Sequence, residues 1–324
     1  MSNLETRPEV TDLAPQAPAS APEVLEPRLV PLGGPRAMRV RRTLPQRTRS
    51  LIGAWCFLDH YGPSDASAGV TMNLPGHPHT GLQTVSWLFE GVLEHLDTVG
   101  SRAFVRAGEL NLMTAGRGIA HSEFSTPDTT VLHGVQLWVA LPDRDRFTEP
   151  RFEHYAPEPV TVGPARLRVF LGSLAGSTSP VRTSTPLLGA QLDIGPRSTL
   201  RLDVDPGFEH GILVDSGEVR VDDATAADAH LLYLPTGSPT LTVQTGDRPV
   251  RAVLLGGEPL GERIVMWWNF VGRSHDEIVR FRAEWQEQAT TGSTVAGPYG
   301  RFPDRWATVL PAPELPNARL RPRP

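Results

Sequence analysis

The chain has 324 residues, a formal net charge of −5 and one cysteine. That length accommodates two domains of ordinary size. The lone Cys56 excludes an intrachain disulfide framework and fits a reducing compartment, and the acidic balance argues against a nucleic-acid surface, which needs concentrated positive charge. All 31 basic residues are arginine, which excludes Schiff-base chemistry, a lysine general base and a P-loop lysine.

In chain order, residues 1–27 are rich in Pro, Ala and Glu and read as a disordered tail. They lack a basic segment followed by an apolar core, so no secretory signal is expected. No later run approaches the roughly 20 apolar residues of a membrane span, and a cytoplasmic protein is expected. Cys56 lies in the apolar run Ala54-Trp55-Cys56-Phe57-Leu58 and reads as a buried, inert thiol. Residues 84–89 form a strand, Glu90-Gly91 its turn, and 92–96 the antiparallel return. Residues 134–139 are another strand, closed by Pro142-Asp143.

Glu149-Pro150 and Pro157-Glu158-Pro159 mark a connector. Beyond it, strands are expected at 167–171, 199–204, 218–221, 230–234 and 240–243, the spacing of a compact barrel or sandwich. Leu88-Phe89-Glu90-Gly91 is echoed by Val214-Asp215-Ser216-Gly217-Glu218, a hint of duplication. A helix is expected over 275–288, with Ser274 as cap, Glu277 completing a capping box, and Ile278, Phe281, Arg282 and Trp285 on one face. The chain after 292 is Gly/Pro-rich and reads as an irregular tail laid over the barrels. With 32 prolines and 30 glycines spread throughout, the expectation is an all-β protein divided into 28–150, 151–291 and the tail 292–324.

Six of the ten histidines fall between His60 and His133. His77 and His79 are two apart, with Pro78 between them biasing the pair towards an extended backbone, so both project from one face. His121 and Glu123 repeat the spacing. Two such pairs, about forty residues apart and each flanked by glycine, bring three imidazoles and a carboxylate to one point if they lie on facing strands. Nitrogen and oxygen donors without thiolate favour iron, then manganese, nickel, copper or zinc according to availability. His60 and His133 read as structural, as do the lone His210 and His230. His95, close to Asp97, reads as hydrogen-bonded structure or the rim of a substrate pocket.

The segments 76–81 with Thr84-Val85-Ser86 and 88–91, then 113–123, together with 57–63 and 132–139, resemble the pirin family of the cupin superfamily. The likeness runs from about Val30 to about Trp285. It implies two tandem jelly-roll barrels with a short C-terminal helix. By resemblance, the first barrel holds one Fe(2+) through His77, His79, His121 and Glu123, and the second holds no metal. Some pirins show quercetinase activity, which implies a flavonol and O2 as substrates, with Glu123 both a ligand and the catalytic proton acceptor. Others resemble metal- and redox-dependent regulatory proteins that bind transcription factors or metabolic enzymes. Pirins usually carry Glu where this chain has Gln83. Gln83 is expected at the substrate pocket with His95, and as an amide it cannot act as a base.

Overall fold

The computed structural model describes residues 8, 11–13, 21–32, 38–66, 69, 71–292 and 297–316. Two β-barrels follow one another along the chain, each built from a seven-stranded and a four-stranded antiparallel sheet. In the first, the large sheet runs in the order Arg151–Tyr155, Leu110–Thr114, Leu82–Glu90, Val131–Ala140, Trp55–Asp65, Met38–Leu44 and Arg28–Leu32. The small sheet is Asn73–His79, Ile119–Ser125, Val92–Asp97 and Arg102–Arg106. The second barrel repeats the plan, with Leu187–Ile194, Val250–Gly257 and Glu209–Ser216 central in its large sheet.

Side-chain alternation explains how the barrels join, because successive residues of a strand point to opposite faces. Val85 and Trp87 face outward and pack with Leu137, Val139, Phe170, Leu213 and Leu255, so the two large sheets meet through one shared apolar layer. Trp87 stacks on Phe170 at 4.5 Å between centroids and donates its indole N–H to Gln191 Oε1 at 2.9 Å. The intervening residues face each barrel's own interior. In the second barrel that interior is aliphatic, filled by Leu167, Val169, Leu188, Leu192, Ile212 and Val214 among others. In the first it includes Ser86, Gln136 and the histidines of the small sheet, all buried.

The echo between the halves is a shared backbone device. Gly91 and Gly217 each close a strand with a positive φ, 92° and 94°, that a side chain would strain. Each glycine leads directly into the next strand, Val92–Asp97 or Glu218–Val221.

Several boundaries differ from the expected ones. Within the tail expected over 1–27, Thr11–Leu13 pairs with Ile264–Trp267, and Glu23–Leu25 pairs with Leu231–Leu234. Leu25 is buried, and Glu23 meets Arg49 at 2.9 Å. Three-residue strands whose partners lie two hundred residues away leave no periodicity to read. The rest of that tail, apart from residue 8 and residues 21–27, lies outside the described residues.

The break placed after Glu149 also moves. Arg151–Tyr155 pairs with Leu110–Thr114 and belongs to the first barrel's sheet, with Pro150 just before the strand, where a missing N–H costs no ladder bond. The helix extends over His275–Thr291, with Ser274 as N-cap and Gly292 in the left-handed conformation as C-cap. Its buried face packs with Trp267, Phe270 and Ala120, so it lies against the first barrel. Residues 297–316 are irregular and continue across the same surface; 293–296 and 317–324 lie outside the described residues. Cys56 is fully buried, and burial pushes its thiol up to about 12.

Candidate metal centre

The four residues singled out by spacing lie on neighbouring, hydrogen-bonded strands of the small sheet rather than on facing ones. Asn73–His79 and Ile119–Ser125 run antiparallel, with His121 directly opposite His77 and Ile119 opposite His79. A register irregularity between His121 and Glu123 then shifts the partner to Leu74. Alternation sends His77, His79, His121 and Glu123 inward, while Gly76, Ala120 and Ser122 turn out towards the C-terminal segment. Trp306 donates to Ser122 Oγ at 2.8 Å, and the amide of Leu310 donates to Gly76 O at 2.8 Å. Gly76 is required there, because a Cβ would come within 2.5 Å of the Trp306 ring.

The ligand-type nitrogens of His77, His79 and His121 lie within 4.8 Å of one another, and all three rings are buried. His79 Nε2 and His121 Nε2 are 3.1 Å apart, close to the spacing of about 3 Å between adjacent donors around an ion at about 2.1 Å. His77 donates from Nδ1 to Pro75 O at 2.8 Å, which leaves Nε2 a bare lone pair with no hydrogen-bond partner among the described residues. Burial pushes His77 down to about 4 and holds His79 and His121 well below the ordinary histidine range, their mutual repulsion adding to it. Neutral, buried imidazoles with an unsatisfied lone pair fit a divalent cation. Glu123 is fully buried beside them, and Ser86 Oγ lies 3.1 Å from its Oε1 and 2.9 Å from Gln136 Oε1. Ser86 stands between Val85 and Trp87 and Gln136 between Val135 and Leu137, polar residues among apolar neighbours, which is the signal in the sequence that could have marked them.

Gln83 lies elsewhere than expected. It shares the parity of Val85 and Trp87, opposite to that of Ser86, so its side chain turns towards the outer face of the sheet. There its amide donates to Thr114 Oγ1 at 2.9 Å. The exchange of Glu for Gln at this position therefore alters the outer face of the sheet, not the histidine cluster. His95 is buried and contacts His121, Nδ1 to Nδ1, at 3.3 Å.

A second cluster joins the barrels. His60 Nε2 and His133 Nε2 lie 2.7 and 2.6 Å from Asp215 Oδ1, and Arg251 Nε lies 2.7 Å from Asp215 Oδ2. These donor atoms are close enough together to suggest an ion. The outer ring nitrogens argue otherwise. His60 Nδ1 faces Arg41 Nε at 3.3 Å, and His133 Nδ1 faces an Arg251 guanidinium nitrogen at 3.4 Å. The Asp215 carboxylate can only accept, so both Nε2 atoms carry hydrogens aimed at it and the Nδ1 atoms of the neutral rings are bare towards the guanidinium groups. The cluster is a closed hydrogen-bond network. Burial raises the carboxyl of Asp215, but the bonds from His133 and His60 outweigh it and hold the group well below the usual carboxylate range.

The pirin family profile matches residues 37–139, and the profile of the pirin C-terminal cupin domain matches 189–291. A Pseudomonas aeruginosa protein described as "Putative quercetin 2,3-dioxygenase" is 41% identical over 295 residues, 89% of this chain and 91% of that one. A "Pirin-like protein" of Caulobacter vibrioides is 34% identical over 262 residues, covering 76% of this chain and 88% of its own. The crystal structure of a quercetin 2,3-dioxygenase from Acinetobacter baumannii superposes with a TM-score of 0.85 at 34% identity, over 94% of this chain and 98% of that one. Two barrels in tandem, one with a polar histidine-lined interior and one packed with aliphatic side chains, together with these matches, identify the chain as a member of the pirin family of bicupins.

Proposed function

We propose that the chain is a mononuclear metal dioxygenase of the quercetin 2,3-dioxygenase type, with His77, His79, His121 and Glu123 as ligands and Fe(2+) as the metal. The observation that carries this reading is the convergence of three buried, neutral imidazoles beside a buried carboxylate, one of them with a lone pair that no hydrogen bond among the described residues satisfies. The names of the similar Pseudomonas and Acinetobacter proteins support the choice of reaction. A divalent ion there would supply a Lewis acid for the flavonol 3-oxygen and a place for O2.

The chain's own residues do the rest. Burial in the barrel excludes bulk water and keeps the imidazoles unprotonated at neutral pH. Ser86 Oγ lies within hydrogen-bond reach of the Glu123 carboxylate, which would accept the 3-hydroxyl proton. The net reaction joins a flavonol and O2 and releases carbon monoxide. A cytoplasmic location fits the single, buried Cys56.

Oxygen uptake and carbon monoxide release are measured with quercetin and iron-loaded protein, wild type beside His77→Ala. Turnover in the wild type and its loss in the variant are expected. Fully metallated wild type that consumes no flavonol would refute the assignment.

A further inference from the structure

We infer that Asp97 and His95 are positioning residues that dictate, through two successive rings, which nitrogen of His121 is free to bind a cation. The inference rests on His121 belonging to the metal centre proposed above, and it concerns the proton arrangement behind it.

Asp97 Oδ1 accepts from the backbone amides of Val99 at 3.0 Å and Ser101 at 2.8 Å. Its other oxygen lies 3.1 Å from His95 Nε2. A carboxylate can only accept, so His95 Nε2 carries a hydrogen, and the tautomer that places it there leaves Nδ1 bare. That bare nitrogen lies 3.3 Å from His121 Nδ1. His121 Nδ1 must then be the donor, which leaves Nε2 as the lone pair, the atom 3.1 Å from His79 Nε2. The His95 ring stacks on Phe152, 4.7 Å between centroids at 26°, which fixes its plane. His95 also lies within 4.8 Å of Glu123 and His121 by donor atoms, but its two nitrogens are already committed to Asp97 and His121. It acts on a ligand and is not one.

The chain of donors makes an isosteric change informative. In Asp97→Asn the amide oxygen must stay on the Val99 and Ser101 N–H groups, because those can only donate. The NH2 then faces His95 Nε2 and turns it into an acceptor. The His95 hydrogen moves to Nδ1, His121 Nδ1 becomes bare, and the His121 hydrogen moves to Nε2, into the position a cation needs. Removing such an outer partner of a metal-binding histidine typically weakens affinity about 10- to 100-fold.

Zn2+, which is redox-silent, serves as the probe, titrated into metal-free full-length protein. Asp97→Asn should bind about 10- to 100-fold more weakly than the wild type. The double variant His95→Ala/Asp97→Asn should bind more tightly than Asp97→Asn alone, because the inverting signal has lost its carrier; a merely structural defect would accumulate instead. In metal-free wild type, 15N shifts of His121 should show the hydrogen on Nδ1, and in Asp97→Asn on Nε2. Asp97→Asn binding Zn2+ within twofold of wild type, a double variant weaker than the single one, or a wild-type His121 with its hydrogen on Nε2 would each overturn the inference. Wild type that takes up no Zn2+ would refute the metal centre, and the 15N spectra would still decide the proton arrangement.

Discussion

Asp215→Asn changes one oxygen to nitrogen at the junction of the barrels, and the hydrogen-bond accounting predicts a large cost for it. In the native network Asp215 accepts from His60, His133 and Arg251. No orientation of an asparagine amide reproduces this. With its oxygen towards Arg251, its NH2 meets two Nε2–H groups; shifting those hydrogens to Nδ1 sets them against the Arg41 and Arg251 guanidinium groups. The carboxylate and both histidine rings are almost fully buried, so little water can compensate. Breaking a buried charged network in this way costs about 3–5 kcal/mol. At about 2–4 °C per kcal/mol for a chain of this size, the melting temperature should fall by roughly 10 °C.

The assay is calorimetry of metal-free wild type and Asp215→Asn at pH 7.5. The same network has a pH signature. Burial keeps His60 below its ordinary value of 6.5, so the neutral ring is favoured on folding. The contribution is complete above about pH 6.5 and is lost as pH falls below it. A variant melting within 2 °C of wild type would refute the network. So would a His77→Ala protein that still binds one equivalent of Zn2+ and loses it on adding Asp215→Asn, which would make the cluster an ion site.

Three further outcomes follow from the same structure. Metal-free protein should lose stability between pH 6.5 and 5: His77, held down to about 4, favours folding of its neutral form, and the fall amounts to about 2 kcal/mol for this ring alone at about 1.4 kcal/mol per pH unit. Urea titrations that coincide at pH 7 and 5 would contradict it. Trp87→Ala removes the indole stacked on Phe170 in the inter-barrel layer and should cost about 3–5 kcal/mol, measured by chemical denaturation; a loss under 1 kcal/mol would mean that the layer is not a shared core. Trp306→Ala removes the ring over Gly76 and the bond to Ser122, and should speed amide exchange in Asn73–His79 while leaving Leu187–Ile194 unchanged; uniform exchange across both strands would show that the C-terminal segment does not brace the histidine strand.

What could be read from the sequence follows from how local each cause is. Strands such as Glu218–Val221 and Leu82–Glu90 announce themselves, because alternation and a closing glycine lie within ten residues. The helix was legible from Ser274 and Glu277, but not the surface it covers, because Ala120 and Phe270 become its partners only through the chain's path. His77, His79, His121 and Glu123 stand out by spacing, and their i, i+2 pairs do share one sheet face. Gln83 was misplaced by taking its position as a pocket residue, although its parity with Val85 and Trp87 already set it on the outer face. The cluster of His60, His133 and Asp215 had no signal at all, since its members lie in different barrels.

The two halves share a plan but make opposite uses of their interiors. Gly91 and Gly217 close equivalent turns, and two residues before them stand Phe89 and Asp215, both at the contact between barrels, where Arg251 lies over the Phe89 ring and bonds Asp215. The second barrel's interior is largely aliphatic and gains stability from burial. The first barrel buries histidines, Glu123, Ser86 and Gln136, groups that oppose folding unless paired or bound to an ion. A barrel so loaded gains from a rigid neighbour, and the broad apolar layer with Trp87 and Phe170 gives it one. On this view the second barrel's contribution to chemistry is mechanical: it stabilises a polar interior that a single barrel of this size would hold only marginally.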